Sequence, residues 1–512
     1  MTRYERGVLS ASGFTPFETL NSRVRRIAAG LDALGVGPGQ CVALLMRNDV
    51  SFLEVSYAVM RLGAHVVPLN WHFKADEVAY ILADCEACAL FAHEDLLAGV
   101  ADGLPSGLSV FAIPTPERLL QVHGIGAPAL KPLESTIAFE PWLAAQAEHA
   151  GPVRSAPMSM IYTSGTTGVP KGVRRVAQGG EKAALLDQLR ATVYGLKPGI
   201  RALLPGPLYH SAPNSFGLRA GMTGDLLVLM DRFDPQDLLA QIEQHAIDTV
   251  FMVPTMFIRL LRLPAQTRAR YDLSSLRHVI HAAAPCPADV KSAMLDWWGP
   301  VIHEFYGGTE SGPVSFATPQ DAIRKPGTVG RASPGAQIRI LGEDGAVLPE
   351  GAVGEVFSRI DAYPDFTYHK QDAMRAQVEK DGFISCGDMG YLDAEGYLFL
   401  CDRRRDMVIS GGVNIYPAEI ENVLQGLEGV HDCAVFGVPD PEFGEALMAV
   451  VEPREGVDLS VEVIRAHLSA HLANYKVPKR VEIRFGLPRE DSGKIFKRRL
   501  RDPYWVEAGR QI

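Results

Sequence analysis

The sequence has no uninterrupted apolar run of about eighteen residues, the length that a helix needs to cross a bilayer. Its first seven residues, from Met1 to Gly7, also lack the basic and then apolar layout of a signal peptide. These two absences predict a protein that has no transmembrane helix and stays in the cytoplasm.

Cysteine is scarce, with seven residues in 512, and their irregular spacing excludes a disulfide framework. We therefore expect a reduced protein, as is typical of the cytoplasm. Cys85 and Cys88 have the spacing of a redox motif, but they join a helical pattern to an apolar strand pattern. We interpret both as buried thiols rather than as a redox pair.

Positive charge is also lacking overall, because 50 Lys and Arg residues face 60 Asp and Glu residues, a net charge of −10. A nucleic-acid partner would require a basic surface, so we expect none. The exception is the basic segment 476–501, in which ten Lys and Arg residues face only Glu482, Glu490 and Asp491. This segment suits a polyanionic small ligand, although a solvated basic face would have the same composition.

Two common catalytic signatures are missing. The sequence contains no Gly-x-Ser-x-Gly elbow and no His and Cys residues clustered at metal-ligand spacing. A serine hydrolase and a zinc enzyme therefore lack support.

Residues 20–310 alternate between helical and short apolar patterns, which favours a mainly parallel sheet covered by helices. The predicted strands are Cys41–Leu45, His65–Leu69, Met158–Tyr162, Leu226–Met230, Thr249–Val253, Val279–His281 and Val301–Phe305. The predicted helices are Ser22–Leu34, Phe52–Leu62, Lys182–Tyr194, Pro235–His245 and Pro287–Trp297. The predicted fold class is α/β, within a multi-domain α+β chain.

The pattern changes after Gly327, where short strands are separated by turns such as Asp381-Gly382, which is typical of β-hairpins. A further unit with its own helices and strands follows the charged stretch 402–406. We therefore predict a large N-terminal domain, residues 1–402, with a β-rich subdomain at about 327–402. Residues 403–512 are predicted to form a small, mobile α+β domain.

An apolar strand pattern ending at Tyr162 runs directly into a loop of glycines and hydroxyl residues that closes with Pro170 and Lys171. Glycines let backbone N–H groups approach an anion, while hydroxyls and a lysine add donors and charge. Because Gly172 stands where a Walker loop has Ser or Thr, ordinary kinases and ATPases are disfavoured. The predicted phosphate-binding residues are Thr163, Ser164, Gly165, Thr166, Thr167, Gly168 and Lys171.

Five further segments carry motifs in the same order as those of a known family. They are Pro-Leu-Tyr-His-Ser at 207–211, Tyr-Gly-Gly-Thr-Glu at 306–310, Gly-Asp-Met-Gly-Tyr at 387–391, Asp-Arg-Arg-Arg-Asp-Met-Val-Ile-Ser-Gly-Gly at 402–412, and Leu-Pro-Arg-Glu-Asp-Ser-Gly-Lys at 487–494. With the phosphate loop, they resemble the motifs of the adenylate-forming superfamily, which includes acyl-CoA synthetases, peptide adenylation domains and beetle luciferases. The resemblance covers nearly the whole chain and implies an AMP-forming acid–thiol ligase that uses ATP, Mg²⁺ and coenzyme A.

The resemblance also implies roles for single residues. Tyr306 would stack on adenine against residues 282–285, and Thr309 would face the α-phosphate. Glu310 would bind Mg²⁺ together with Thr166, because a cation that bridges phosphates needs oxygen ligands. The remaining members of the predicted nucleotide site are Ala283, Ala284, Pro285, Gly307, Gly308, the ribose contacts Asp388 and Arg403, and Lys494.

The predicted catalytic residues are Lys494, Glu310 and His210. A carboxylate that attacks the α-phosphate brings two anions together, and Lys494 would offset this repulsion in the transition state. His210 resembles the gate between the acyl pocket and the thiol tunnel, although a lone histidine is also common in cores and on surfaces.

A change of domain orientation is implied as well. Rotation at the hinge residue Arg405 would move Lys494 out of the site and bring in Gly411 and Gly412 to make room for the pantetheine arm. Tyr475 and Lys479 resemble further coenzyme A contacts. Val477 stands where some relatives have an arginine, which departs from the family pattern.

The acyl pocket is predicted from small and apolar residues in and around the motifs at 207–211 and 306–310. Its predicted members are His210, Ser211, Asn214, Phe216, Phe257, His281, Ala282, Gly307 and Gly308. Small residues would leave room, and no Lys or Arg is present to pair a second carboxylate. We therefore predict a medium-to-long-chain or bulky cyclic monocarboxylic acid, of fatty, arylalkanoic or steroid-like type.

Alternatives within and outside the family remain open. An acyl-AMP ligase could load the phosphopantetheine of a carrier protein instead of free coenzyme A. A nucleotide-binding module without catalysis is disfavoured, because Glu310, Asp388, Arg403 and Lys494 are all present. The sequence leaves the acid, the pathway and a homodimer undecided.

Overall fold

The computed structural model describes residues 6–126, 136–163, 170–284, 286–403, 406–410, 413–440, 443–489 and 495–507. None of the helices in these ranges combines the length and the apolar character needed to cross a bilayer. All seven cysteines lie within these ranges, and each is a free thiol.

The β-strands occur in the following chain order. They are β1 (Gly7–Ser10), β2 (Gly13–Pro16), β3 (Cys41–Leu45), β4 (His65–Pro68), β5 (Ala87–His93), β6 (Ser109–Ile113), β7 (Ile137–Ala138), β8 (Ile161–Thr163), β9 (Lys171–Arg175), β10 (Arg201–Leu204), β11 (Leu226–Leu229), β12 (Thr249–Met252), β13 (His278–His281), β14 (Ile302–Gly308), β15 (Gly312–Ala317), β16 (Arg331–Ala332), β17 (Ala336–Leu341), β18 (Gly354–Ile360), β19 (Phe366–Tyr368), β20 (Glu379–Lys380), β21 (Phe383–Leu392), β22 (Leu398–Arg403), β23 (Val408–Ser410), β24 (Val413–Ile415), β25 (Val430–Asp440), β26 (Gly444–Pro453) and β27 (Arg480–Ile483).

The α-helices follow the same order. They are α1 (Phe17–Ala33), α2 (Val50–Arg61), α3 (Ala75–Asp84), α4 (Glu94–Leu97), α5 (Glu117–Val122), α6 (Phe139–Ala144), α7 (Gly180–Val193), α8 (Ser211–Thr223), α9 (Pro235–His245), α10 (Pro254–Leu261), α11 (Ala265–Arg268), α12 (Ala288–Trp298), α13 (Pro319–Arg324), α14 (Asp372–Gln377), α15 (Pro417–Gln425), α16 (Val461–His471) and α17 (Lys497–Glu507).

Two large sheets form the body of the N-terminal part of the chain. One is parallel, in the order β4-β3-β5-β6-β7, and the other has nine strands in the order β16-β15-β14-β13-β12-β10-β11-β1-β2. Helices α1 and α2 lie in the core between the two sheets. Helix α3 covers the outer face of the first sheet, and α9, α10 and α12 cover the outer face of the second. The result is a five-layered arrangement of helices and sheets.

The sequence explains why the central elements form as they do. Helix α2 is buried over its first ten residues, as a helix between two sheets must be, and the side chain of Asp49 caps its N-terminus by accepting from the backbone N–H of Ser51. In β11, Leu227 and Leu229 pack into the core between the sheets. Leu226 and Val228 pack on the opposite face, in the core between this sheet and helices α9, α10 and α12, which we call the outer core. Such strands are apolar on both faces because both faces are covered.

A small antiparallel sheet of β8, β9 and β19 connects the predicted phosphate loop to the rest of the site, with β9 in its centre. Thr163 of β8 pairs with Lys171 at one end of β9, and Phe366 of β19 pairs with Arg175 at the other. The loop therefore leads into a strand whose two ends carry basic side chains.

The remaining strands form two further sheets. Strands β17, β18, β20, β21 and β22 form an antiparallel sheet. Strands β23 to β26 form the C-terminal sheet, where β27 runs parallel to β26. Helices α15 and α16 pack on one face of this sheet and α17 on the other.

The predicted α/β multi-domain fold class is confirmed, and many element bounds agree with the sequence pattern. The strand predicted at Met158–Tyr162 is partly wrong, because β8 begins only at Ile161. Before it, the Met160 N–H donates to the carbonyl of Val66 outside any regular ladder. The pattern also gave no sign that β1 would join the nine-stranded sheet beside β11, because the paired residues, such as Gly7 and Leu226, are far apart in the sequence.

Candidate active site

The two predicted walls of the adenine site lie side by side at one edge of the nine-stranded sheet. Strands β13 and β14 are parallel neighbours, so residues 282–284 and Tyr306 meet at the carboxyl ends of these strands. This edge is where open α/β sheets bind their ligands. Ala283 has a φ of 75°, a left-handed conformation that is rare for alanine and concentrated at binding sites. Pro285 lies outside the described residues.

The predicted ribose contacts converge on the same place. The Tyr306 hydroxyl donates to Asp388 Oδ2 at 2.8 Å. Asp388 in β21 stands opposite Arg403 in β22 in the antiparallel ladder, although the Arg403 side chain is not among the described groups. The fold therefore brings together one residue predicted to contact adenine and two predicted to contact ribose, which come from distant motifs.

The predicted phosphate loop connects two antiparallel strands. Thr163 ends β8 and stands opposite Lys171, which begins β9. A strand follows the loop, whereas a helix follows a Walker loop, so the rejection of a Walker loop agrees with the topology. The predicted roles of Ser164, Gly165, Thr166, Thr167 and Gly168 stay predictions, because these residues lie outside the described part of the chain.

Lys171, Tyr368 and Glu310 form a compact group beside the loop. Lys171 is buried, with 8% of its residue surface exposed, and its Nζ lies 5.4 Å from the centroid of the Tyr368 ring. The Tyr368 hydroxyl donates to Glu310 Oε1 at 3.0 Å. Burial lowers the pKa of Lys171, an effect that the nearby Glu310 carboxylate opposes. Burial and the same carboxylate raise the pKa of Tyr368, which therefore remains a hydrogen-bond donor.

Glu310 is chemically suited to Mg²⁺, which is commonly held by one or two carboxylates together with substrate phosphates. Across the described ranges, no three His, Cys, Asp or Glu side chains are grouped so as to hold a metal by themselves. The Glu310 carboxylate therefore fits a magnesium ion that arrives with ATP, and its role as the protein ligand stays a prediction. Thr166, the other predicted ligand, lies outside the described residues.

Gly307 and Gly308 are needed for close packing rather than for space. A Cβ atom on Gly307 would lie 1.8 Å from the carbonyl oxygen of Gly312. One on Gly308 would lie 2.8 Å from Cys386 Sγ. The missing side chains therefore open no room for an acyl group in these directions, contrary to the expectation from the sequence.

The predicted acyl-pocket residues lie on two different faces of the nine-stranded sheet. Phe216 and Ala282 belong to the core between the sheets. Phe257 belongs to the outer core, where its ring lies 5.2 Å from that of His281. His281 ends β13 and packs against Phe257, whereas Ala282, the next residue, packs into the core between the sheets. The described contacts therefore do not bring these four residues into one pocket, and the acyl-pocket assignment stays a prediction.

His210 stands at the start of α8, immediately before Ser211. Its ring lies 4.5 Å from that of Tyr209. The Asn214 side chain is buried and donates to the carbonyl of Leu208 at 2.8 Å, so it fixes the turn that precedes the helix. The acyl-pocket role of these residues and the gating role of His210 stay predictions.

Much of the predicted C-terminal machinery lies outside the described residues, namely Lys494, Arg405, Gly411 and Gly412. Tyr475 lies in a single 3₁₀ turn and is 56% exposed. Lys479 Nζ lies 3.4 Å from Asp440 Oδ2 and 3.8 Å from the centroid of the Phe443 ring. Their roles in coenzyme A binding stay predictions.

The basic segment 476–501 is partly neutralised by carboxylates from the same C-terminal unit. Lys476 pairs with Glu419 at 2.6 Å, and Arg489 pairs with Asp432 at 2.7 Å. The composition of the segment could not reveal these partners, because they come from residues before it. The basic surface available to a polyanion is therefore smaller than the sequence suggested.

Two residues of the site were missed in the sequence. Tyr368 bonds Glu310 across 58 residues, which leaves no local pattern. Arg175 donates to the carbonyls of Thr309 and Glu310. In this case a signal existed, because two consecutive arginines end the short strand that begins with Lys171.

Two family descriptions match the chain. That of the AMP-binding enzyme family matches residues 12–362, and that of the AMP-binding enzyme C-terminal domain matches residues 419–494. The first match alone covers more than half of the 512 residues. The domain boundary at 402/403 falls between the two matches and stays a prediction.

Similar proteins point in the same direction. A feruloyl-CoA synthase from an Amycolatopsis species is 36% identical over 494 residues, covering 95% of this chain and 93% of the relative. An indoleacetate–CoA ligase from Aromatoleum aromaticum is 34% identical over 497 residues, covering 94% and 91%. The amide bond synthetase McbA from Marinactinospora thermotolerans has a similar structure, with a TM-score of 0.84 and 30% identity over 98% of this chain and 97% of that chain. The chain therefore belongs to the AMP-binding enzyme family, as an acid–thiol ligase of the acyl-CoA synthetase type that uses ATP, Mg²⁺ and coenzyme A.

Proposed function

We propose that this enzyme joins an aromatic or other bulky cyclic monocarboxylic acid to coenzyme A through an acyl-adenylate. The observation that carries the adenylation step is the convergence of two groups of residues beside the carboxyl end of β14. Tyr306 and Asp388 would bind the adenosine, while Lys171, Tyr368 and Glu310 surround the place where the phosphate loop begins and ends.

In the first step, a carboxylate oxygen attacks the α-phosphorus of ATP, and the bond to diphosphate breaks. The phosphate loop and Lys171 would hold the β- and γ-phosphates, and Thr309 would face the α-phosphate. Lys494 would contact both the incoming carboxylate and the α-phosphate, where negative charge accumulates in the transition state. Mg²⁺ bound to Glu310 would offset phosphate charge.

In the second step, the thiol of coenzyme A attacks the acyl carbon and AMP leaves. Rotation near Arg405 would remove Lys494 and bring Gly411 and Gly412 to the site, where their lack of side chains leaves space for the pantetheine arm. Acyl-CoA and AMP are the products.

The charge pattern beside the acyl side of the site supports a monocarboxylic acid. No Lys or Arg occurs between His210 and Leu218. The next basic residue along α8, Arg219, pairs with Asp187 at 2.6 Å. A second substrate carboxylate would therefore be desolvated without a cation to pair with it, which is costly.

Aromatic side chains around α8 support a cyclic acid. Tyr194 and Phe305 pack edge to face at 5.1 Å, and Phe216 and Phe251 pack at 5.8 Å. Flat rings pack favourably in offset or edge-to-face contact with such side chains. The feruloyl and indoleacetate specificities in the names of two relatives agree with this class.

A panel of acids tests the substrate class. Rates of acyl-CoA formation should be compared for a hydroxycinnamate, an indole- or aryl-acetate, octanoate, palmitate, acetate and malonate. We expect kcat/KM for the best cyclic acid to exceed that for acetate by about 10-fold or more, because burying additional apolar groups gives discrimination of this order. Highest kcat/KM with acetate, malonate or a straight-chain acid would contradict the proposed class.

The acceptor requires a separate comparison. With the best acid, free coenzyme A and a phosphopantetheinylated carrier protein should be supplied at equal concentration. We expect faster acyl transfer to free coenzyme A. Transfer to the carrier protein alone would instead identify a carrier-protein ligase.

A further inference from the structure

Arg175 is a buried cation directly beneath the nucleotide motif at 306–310. It ends β9, the strand that begins with Lys171, and its residue surface is only 4% exposed. Its Nη2 donates to the carbonyl of Thr309 at 2.6 Å and to that of Glu310 at 2.5 Å. Its Nη1 donates to the carbonyl of Pro364, just before β19.

The surroundings of this guanidinium are unusual for a buried arginine. Within the described part of the chain, its hydrogen-bond partners are main-chain carbonyls, and it forms no ion pair. The rings of Tyr363 and Phe366 lie 4.5 and 5.4 Å from its central carbon, where a ring face attracts a cation. Desolvation lowers the pKa of Arg175, an effect that Tyr363 and Glu310 partly oppose. A residue type that is almost never fully buried unless paired is thus held by backbone and ring faces.

The planar guanidinium can do at this position what a lysine cannot. It presents five N–H donors in a fixed fork, so one side chain can bind several carbonyls at once. Arg175 thereby fastens three segments together: strand β9, the turn at Thr309 and Glu310, and the approach to β19. Strand β19 carries Tyr368, which bonds the Glu310 carboxylate. Glu310 is therefore fixed at its backbone by one residue and at its side chain by another.

We propose that Arg175 is a positioning residue for the binding of magnesium-bound ATP. Its guanidinium holds the main chain of Thr309 and Glu310 so that the Glu310 carboxylate meets the metal. The proposal rests on the proposed adenylation at this site and is independent of which acid is used. Groups that orient a metal ligand commonly change metal affinity or activity by about 10- to 100-fold when they are removed.

The experiment is calorimetric titration of ATP into the purified full-length enzyme, with Mg²⁺ and with EDTA. The ratio of the two dissociation constants measures the gain in affinity that magnesium provides. For Arg175→Met, we expect this gain to fall by about 10- to 100-fold relative to wild type. In EDTA, the dissociation constant of Arg175→Met for ATP should differ from that of wild type by less than about 3-fold, because Tyr306 and Asp388 are not among the residues that Arg175 contacts. Arg175→Lys should retain the charge but still lose about 10-fold of the gain, since one ammonium cannot span three carbonyls.

A second arginine near the same ring provides a matched control. Arg375 lies 4.6 Å from the Phe366 ring and donates to the Phe366 carbonyl at 3.0 Å, but its partners are Asp365 and Glu379 rather than the nucleotide motif. Arg375→Met should therefore keep the magnesium gain of the wild type.

The outcomes separate this proposal from the proposed function. Wild-type protein that binds no ATP with Mg²⁺ would contradict adenylation itself. Wild-type binding together with an unchanged magnesium gain in a folded Arg175→Met or Arg175→Lys variant would overturn the positioning role. If Arg175→Met fails to fold, the result for Arg175→Lys decides. An equal loss of the gain in Arg375→Met would also overturn the role, because it would show a general effect of loosening this region.

Discussion

Single residues in this enzyme divide the chemistry between fixed and moving groups. Tyr306, Asp388 and Lys171 lie on strands of three different sheets, and Glu310 follows β14. Hydrogen bonds join Tyr306 to Asp388 and Tyr368 to Glu310. Lys494 comes instead from the C-terminal unit. This separation predicts that Lys494 acts in only one of the two half-reactions.

Replacement of Lys494 tests this separation. Lys494→Ala should slow acyl-adenylate formation by about 10²- to 10³-fold, the scale of losing one donor that stabilises transition-state charge. Formation of the thioester from synthetic acyl-adenylate should remain close to wild type, because the lysine is proposed to leave the site before that step. Both half-reactions can be measured by chromatography of the acyl products.

Lys497 provides the control for that substitution. It lies three residues further along the same basic segment and pairs with Glu421 at 2.7 Å. Lys497→Ala should therefore leave the rate of adenylation nearly unchanged. Equal losses in both half-reactions for Lys494→Ala would show that its assigned role is wrong.

The residues that could be predicted from the sequence are those that lie within ordered motifs. Tyr306 and Asp388 were identified in this way, and the structure joins them by a hydrogen bond. Tyr368 was not, because its contact with Glu310 depends on how β19 packs and no local pattern records it. The small residue Gly307 was misinterpreted for a related reason. Only the folded structure shows that backbone atoms of Gly312 occupy the space where a side chain at position 307 would lie.

At the scale of secondary-structure elements, periodicity was a good guide to single strands and helices. Strand β3 and helix α9 have the predicted bounds, because both are marked by local signals. Strand β3 is marked by its apolar pattern. Helix α9 is marked by the cap at Asp234 and by Pro235 at its start. The division of strands between two sheets was not predictable, because pairing partners such as β1 and β11 are far apart in the chain. Packing also divides the predicted acyl-pocket residues, because Phe216 and Ala282 lie in the core between the sheets whereas Phe257 lies in the outer core. The acyl pocket stays a prediction.

Strand β4 carries a histidine whose burial predicts a pH-dependent stability. His65 accepts a hydrogen bond from Arg174 Nε at 3.3 Å. Burial, helped by Arg174 and His369, lowers the pKa of His65 from 6.5 to about 4. The unfolded chain therefore binds the proton more readily, so this contribution to stability is complete above about pH 6.5 and is lost as the pH falls toward 4.

Substitution of His65 should weaken this pH dependence. Between pH 7.5 and pH 5, the free energy of unfolding of wild type should fall by about 2 kcal/mol more than that of His65→Gln, which can still accept from Arg174 but cannot titrate. Urea unfolding at the two pH values measures the difference. The exposed His471 offers a control, and His471→Gln should retain the wild-type pH dependence. Equal decreases in the free energy of unfolding of wild type and His65→Gln between the two pH values would contradict the prediction.

At the scale of the whole molecule, the chain combines a five-layered body with a separate C-terminal sheet. The body brings the carboxyl end of β14 next to the small sheet that flanks the predicted phosphate loop, where Arg175 bonds the carbonyls of Thr309 and Glu310. Motif order alone predicted the family and its two-step reaction. It could not predict how carboxylates such as Glu419 and Asp432 would neutralise the basic segment, because that depends on the packing of the C-terminal unit.

The identity of the nucleotide product tests the central claim most directly. Purified enzyme should be incubated with Mg²⁺, ATP, coenzyme A and the cyclic acids of the panel, and the nucleotides separated by chromatography. The enzyme should release AMP and diphosphate in amounts equal to the acyl-CoA formed, and only when a suitable acid is present. Formation of ADP and phosphate, or no acid-dependent AMP with any acid, would contradict attack at the α-phosphorus and with it the proposed function.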